Sequence, residues 1–145
     1  EFTYQDVIDN LNVLDYEYYF RLVDYFLAND TAEVLKIFSE ILDQGFDGQH
    51  FITGLGEHLR NLLVAKDEST ISLLEVGENI QKRYQQQAAN CDFAFINNAL
   101  HEVNQCDIYY KGSNNKKLHI EITLLRLASL NSEANKGKDV KKKSA

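Results

Sequence analysis

Hydrophobic positions recur at helical spacing along most of the chain, and helix start and stop signals fall between the apolar runs. Thr3 with Asp6 forms a capping box that opens a short helix through about Leu11. Asp15 then caps a second helix, in which Tyr19, Leu22, Val23, Phe26 and Leu27 follow the i, i+3, i+4, i+7, i+8 stripe. Asn29-Asp30 ends that helix. Asp30 with Glu33 starts a third, whose Val34, Phe38, Ile41 and Leu42 face inward and which stops at Gly45. Asp47 is the next N-cap, for a helix to about Lys66 striped by Phe51, Ile52, Leu55, Leu59, Leu62 and Leu63. Its Gly54 and Gly56 each lower helix stability by about 1 kcal/mol relative to alanine. A neighbouring backbone in close approach compensates such glycines, and the last helix of the chain is the expected neighbour. Ser69-Thr70 is a restart before the packed turn Leu73-Leu74. Val76 to Ala89 is helical, with Gln85, Gln86 and Gln87 on its exposed side, and Asp92 caps a helix with Phe93, Ile96, Ala99, Leu100, Val103 and Tyr110 on its apolar face.

After the loop Gly112-Ser113-Asn114-Asn115 comes the most apolar stretch, Lys117 to Leu130. Its Leu118-His-Ile-Glu-Ile122 alternates as a strand would, but no partner strand is evident, so the reading is helix. On a helical wheel Leu118, Ile120, Ile122, Leu124, Leu125, Leu127 and Ala128 cover roughly 220°, with His119, Thr123 and Arg126 opposite. One neighbour covers a stripe of only about 100° or somewhat more, so this helix needs cover on two sides, from a second layer of its own fold or from another subunit. Leu118, Glu121, Ile122, Leu124, Leu125 and Leu127 are therefore the candidate subunit interface or central packing. Glu121, the one charge inside the arc, is expected to pair with Arg60 or Lys66, or to bridge to a neighbouring subunit. The fold class is all-α: a single compact bundle of about five to seven helices with a buried C-terminal helix.

Composition narrows this without adding chemistry. The chain has 145 residues, one domain's worth, with no proline and only seven glycines, so long helices go unbroken. Its net charge of −7 is uneven. From Ser132 onward five lysines face Glu133 and Asp139, a net of +3; without them residues 1–131 keep ten basic and twenty acidic side chains, a net of −10. So acidic a body repels phosphate backbones, which argues against direct nucleic-acid contact. The reading divides the chain into a helical body, 1–131, and a basic disordered linker, 132–145. If one helix carries both, Cys91 and Cys106 lie about four turns apart, too far to bridge, which suits a reducing cytoplasm and gives neither a role. No signal peptide or long apolar span is present, and the Glu1-Phe2 start suggests a piece of a longer protein. His50, His58, His101 and His119 lack zinc-ligand spacing, Gly54-Leu-Gly56 lacks the third glycine of a dinucleotide loop, and no phosphate-binding GxxxxGK[ST] occurs. No catalytic, cofactor or metal residue is assigned. The aromatics Tyr16, Tyr18, Tyr19, Phe20, Tyr25 and Phe26 read mainly as core; the alternative is a monomeric adaptor that docks a partner peptide in an aromatic groove formed by Tyr16, Tyr19 and Phe26.

Three stretches together resemble a known family: residues 47–66 (DGQHFITGLGEHLRNLLVAK), residues 109–130 (YYKGSNNKKLHIEITLLRLASL) and the early segment 3–30. In family order over about residues 1–131, they are similar to the gamma/tau subunit of bacterial DNA polymerase III, the clamp-loader protein. The resemblance implies its third domain, the helical collar, which packs with like domains into a ring that carries the ATPase modules in DNA replication. The implied partners are the other clamp-loader subunits and further copies of the chain. The polymerase and the helicase would be reached through parts of the parent absent here, with the lysine-rich tail beginning the linker to them. The ATPase motifs are not in this chain, so ATP hydrolysis is not implied for it. The parent would belong to the polymerase holoenzyme of the bacterial cytoplasm. No residue supports carrying over the accessory-subunit contact that some bacteria make through this domain.

Overall fold

Local signals close the helix ends where the hydrophobic pattern stops. The computed structural model describes the backbone of residues 4–144 and the side chains of residues 16–130. Six α-helices follow one another: α1 (Tyr4–Leu27), α2 (Thr31–Asp43), α3 (Gly48–Ala65), α4 (Glu78–Ala89), α5 (Phe93–Tyr109) and α6 (Lys116–Ser144), with a 3-10 turn at Ile71–Leu73. No strand occurs among the described residues, so the all-α class stands and the alternating 118–122 segment is helix.

The α1–α2 corner is built from two capping devices in succession. Asn29 adopts φ 57°, and the Asp30 N–H donates to the Tyr25 carbonyl at 3.0 Å, a left-handed cap that ends α1. Asp30 then accepts from the Glu33 N–H at 3.2 Å and starts α2. At the other end of α2, Gly45 at φ 93° lets the Phe46 N–H reach the Ile41 carbonyl at 3.3 Å. Asp47 caps α3 through the His50 N–H at 3.3 Å. Asp92 stands at the N-cap of α5 but makes no side-chain capping bond.

Two boundaries differ from the sequence reading. The expected short helix to Leu11 and the helix from Asp15 are one continuous α1, because nothing from Leu11 to Asp15 breaks a helix and an interior aspartate costs well under about 1 kcal/mol. The capping box at Thr3 and Asp6 lies outside the described residues. Helix α6 runs past residue 131 into the segment read as a disordered linker, since one glycine among lysines, alanines and a glutamate is no stop signal.

Helices α1 and α2 pack as a hairpin, and both lie against α6; α3 lies against α4, α5 and α6, with its most extensive contact on α5. The core joins Leu22, Val23 and Phe26 of α1, Ile37 and Phe38 of α2, Ile52, Leu55, Leu59 and Leu62 of α3, Ile96 and Ala99 of α5, and Leu124 and Leu127 of α6. Gly54 and Gly56 of α3 do not meet α6 as expected. A Cβ at Gly54 would collide with the Tyr19 hydroxyl of α1, and one at Gly56 would stand 3.4 Å from Val103 of α5. Gly48 is the glycine that meets α6: a Cβ there would be 2.8 Å from Ile120 Cδ1. Phe93, expected on the α5 apolar face, is exposed, because it precedes the first residue of the buried stripe, Phe95.

Candidate functional site

Helix α6 divides its apolar arc between two opposite faces. Ile120, Leu124, Leu127 and Ala128 are closed against the rest of the bundle. Leu118, Ile122 and Leu125, spaced i, i+4 and i+7 on the other side, remain 49%, 47% and 40% exposed. The chain's own layers thus bury only two of the six candidate interface residues: Leu124 and Leu127 are central packing, and Leu118, Ile122 and Leu125 form an outward stripe. Ile108 and Tyr109, at the end of α5 and so at the same end of the α5–α6 hairpin as Leu118, are also exposed. Glu121 is half-buried and makes no ion pair among the described residues; Arg60 instead bonds Asn61. Thr123, expected on the polar side, is buried and donates to the His119 carbonyl at 3.3 Å. It is buried because α5 covers that side: His119 Nε2 lies 2.9 Å from the Cys106 carbonyl, and Arg126 stands 3.7 Å from Glu102.

The second feature is a cleft of about 480 Å³ between α1, α3 and α4. Tyr16, Tyr19, Phe51 and Tyr84 supply aromatic walls, and Glu57, His58 and Asn61 of α3 supply polar ones. Two of the three groove residues expected from sequence, Tyr16 and Tyr19, line this cleft. Phe26 does not: its ring is wholly inside the core. The Tyr19 ring stacks on Phe51 at 5.9 Å between centroids, and its hydroxyl donates to the Phe51 carbonyl at 3.0 Å.

Under the cleft lies a polar network that links three helices. The Gln87 amide nitrogen donates to the Phe20 carbonyl at 2.7 Å and to Asp24 Oδ1 at 2.9 Å. With both amide protons committed, Gln87 Oε1 is the acceptor that faces His58 Nε2 at 2.7 Å, so Nε2 carries the imidazole proton. Nδ1 of His58 is then a bare lone pair, buried and without a partner among the described residues. Burial pushes the His58 imidazole down to about 4, against the opposing Gln87 hydrogen bond and with a smaller push from Arg83, so the ring is neutral at physiological pH. Arg83 itself is held by Glu17 at 2.7 Å and lies 4.2 Å over the Phe20 ring. Gln87 corrects the expectation that all three glutamines of its run point to solvent.

Comparison with known proteins places this geometry. The family model "DNA polymerase III subunits gamma and tau domain III" matches residues 3–142, nearly the whole chain. The chain belongs to that family. Among solved structures, the Bacillus subtilis DNA clamp loader delta protein (YqeN) shares the fold, with a TM-score of 0.70 at 21% identity. The match covers 79% of this chain and 37% of that one, so the chain spans little more than a third of its solved relative. No curated protein matches.

For a gamma/tau domain III, the absence of a visible reaction centre in the sequence leaves the outward α6 stripe and the cleft as the features to explain. Among the described residues no group of three or more His, Cys, Asp or Glu side chains gathers as metal ligands, and no helix is long and apolar enough to cross a membrane. Cys91 and Cys106 are free and buried; burial pushes Cys91 up to about 11 and raises Cys106 as well, so both stay thiols at neutral pH. The sequence reading of this domain III passed over His58 and Gln87. Their spacing of 29 residues carries no local motif, and only the predicted burial of one α3 face hinted that His58 lay inside.

Proposed function

We propose that the chain is a non-catalytic collar domain, which holds clamp-loader subunits together in a ring for DNA replication. Its membership of the gamma/tau domain III family supports the setting. The observation that carries the assembly role is the outward stripe Leu118, Ile122 and Leu125, on a helix whose opposite face is already satisfied. Isolated exposed leucines are ordinary on a protein surface, whereas an aligned aliphatic stripe on a packed helix marks an interaction face. Glu121, half-buried beside the stripe without an ion pair among the described residues, would find its partner on the neighbour.

Magnitude sets how the face works. Covering three half-exposed aliphatic side chains returns roughly 1 kcal/mol each, about 3 kcal/mol in all. Bringing two molecules together costs about 4–15 kcal/mol in lost motion. The stripe alone therefore supports only weak self-association, and a stable ring draws on unlike neighbours. The other clamp-loader subunits and further copies of this chain are the partners. Residues 132–145 lead towards the parts of the parent that reach the polymerase and the helicase, and the setting is the bacterial cytoplasm. The acidic body itself touches neither nucleic acid nor membrane.

Light scattering of the chain, alone and mixed with the other loader subunits over a wide concentration range, tests this. The chain should join the mixed complex, and Ile122→Arg, at an exposed position, should abolish joining while its circular dichroism is unchanged. An Ile122→Arg chain that assembles as the parent does would remove the stripe as the contact. A parent chain that joins nothing would remove the collar role and put the adaptor reading first.

A further inference from the structure

We propose that the turn joining α5 to α6 seats an acidic segment of a partner polypeptide, one that carries an apolar side chain between its carboxylates. This goes beyond the assembly role, which uses the length of the α6 stripe, and it stands on how charge and apolar surface are distributed. Between Asp107 and Glu121 lie thirteen residues without an acidic side chain, and they carry Lys111, Lys116 and Lys117. The turn is thus an island of +3, and the rest of residues 1–131 is left with −13. Ile108 and Tyr109 on the last turn of α5 are 60% and 63% exposed, and Leu118 on the first turn of α6 is 49% exposed. Three such side chains beside a cluster of lysines make one patch that is cationic and apolar at once.

Hydrogen bonds hold this platform in place. The Ser113 N–H donates to the Tyr110 carbonyl at 3.2 Å, and its hydroxyl donates to the Asn115 carbonyl at 3.1 Å. Asn115 Oδ1 accepts from the Leu118 N–H at 3.1 Å. Lys116 folds back across the turn: its Nζ donates to the Ser113 carbonyl at 3.1 Å and lies 5.5 Å from the centroid of the buried Tyr110 ring. A turn fixed in this way loses little freedom when a ligand arrives. Lys111 and Lys117 are exposed and make no ion pair among the described residues, so their charges are open to carboxylates. Ile108, Tyr109 and Leu118 call for an aliphatic or aromatic anchor between those carboxylates. The surroundings limit the size of the occupant. A nucleic-acid strand would carry its phosphates past the turn onto the −13 surface, and three lysines neutralise few of them. A second copy would bring its own acidic body against that surface. An extended acidic segment reaches the turn without either penalty.

The test titrates the whole ¹⁵N-labelled chain with a short capped peptide of aspartates and glutamates around a central leucine–phenylalanine pair. A version with alanines at the centre and an oligothymidylate serve as comparators. The acidic peptide should give saturable shifts centred on Ile108, Tyr109, Lys111, Lys117 and Leu118, and should bind more weakly as salt rises from about 0.05 to 0.3 M. The alanine version should bind roughly threefold more weakly or worse, for want of the apolar anchor. The double variant Lys111→Glu, Lys117→Glu, at exposed positions, should weaken the peptide about tenfold with circular dichroism unchanged. Tyr109→Ser keeps the charges and should weaken it roughly threefold. Binding untouched by the double variant, shifts confined to other surfaces, or no saturation at all would each overturn the proposal. Oligothymidylate bound at the turn as tightly as the peptide would make it a nucleic-acid surface instead. The same shifts on concentrating the chain alone would make a second copy the occupant, and either result overturns the acidic segment.

Discussion

His58 shows what a single buried side chain imposes on the whole domain. Its Nε2–H is matched by Gln87, but the ring is closed to solvent and protonation inside the bundle is resisted, so the folded value falls to about 4 against an ordinary 6.5. The sign follows directly. Below about pH 6.5 the unfolded chain takes up a proton that the folded chain refuses until about pH 4. This contribution to stability is therefore complete above about pH 6.5 and shrinks as the pH falls towards 4. Between pH 7 and pH 5 the loss amounts to about 2 kcal/mol, a large part of a typical domain's margin. Urea unfolding at the two pH values measures it, and an imidazole NMR titration identifies its source. His58 should remain neutral at pH 5; a His58 midpoint near 6.5 would show that the ring is not sealed as described.

At the scale of elements, legibility in the sequence followed the range of the interaction. The caps at Asp30 and Asp47 and the left-handed turn at Gly45 were readable because donor and acceptor lie within a few residues of each other. Gly54 was half readable. A glycine inside a helix announced a close neighbour, but the neighbour is Tyr19 of α1 rather than α6, and nothing local encodes which helix arrives. Gln87 was not readable: it sits in a run of three glutamines, and its partner on α1 is 67 residues away. For α6 the width of the apolar arc led to the expectation of cover on two sides; the packing closes the side of Ile120, Leu124 and Leu127 and leaves Leu118, Ile122 and Leu125 open, a division that no local signal encodes. Paired substitutions separate the two faces. Leu124→Arg forces a charge into a wholly closed site and should cost several kcal/mol, enough to unfold much of the population. Ile122→Arg, two residues away on the open side, should change stability by no more than about 0.5 kcal/mol. Thermal melts of both variants measure the difference, and equal losses would mean that the two faces are not distinct.

At the scale of the whole molecule, charge and apolar surface act against each other. A body of net −10 repels its own copies, whereas the proposed contact, the aliphatic stripe on α6, would attract them without ionic help. The repulsion reaches over roughly 30 Å at 0.01 M salt and shrinks to about 8 Å at physiological ionic strength. Burial of Leu118, Ile122 and Leu125 is not screened by salt at all. Self-association of this chain should therefore strengthen as salt rises from about 0.01 to 0.15 M, the reverse of an interface held by ion pairs. The +3 of the last fourteen residues opposes this trend if the tail reaches a neighbour's acidic surface, so the comparison is made with and without residues 132–145. Sedimentation equilibrium across that salt range decides it. Association that tightens with salt, and does so more steeply once the tail is removed, fits an apolar contact between acidic bodies. Association that weakens with salt in both forms would mean that charge pairs hold the copies together and that the α6 stripe is not the contact.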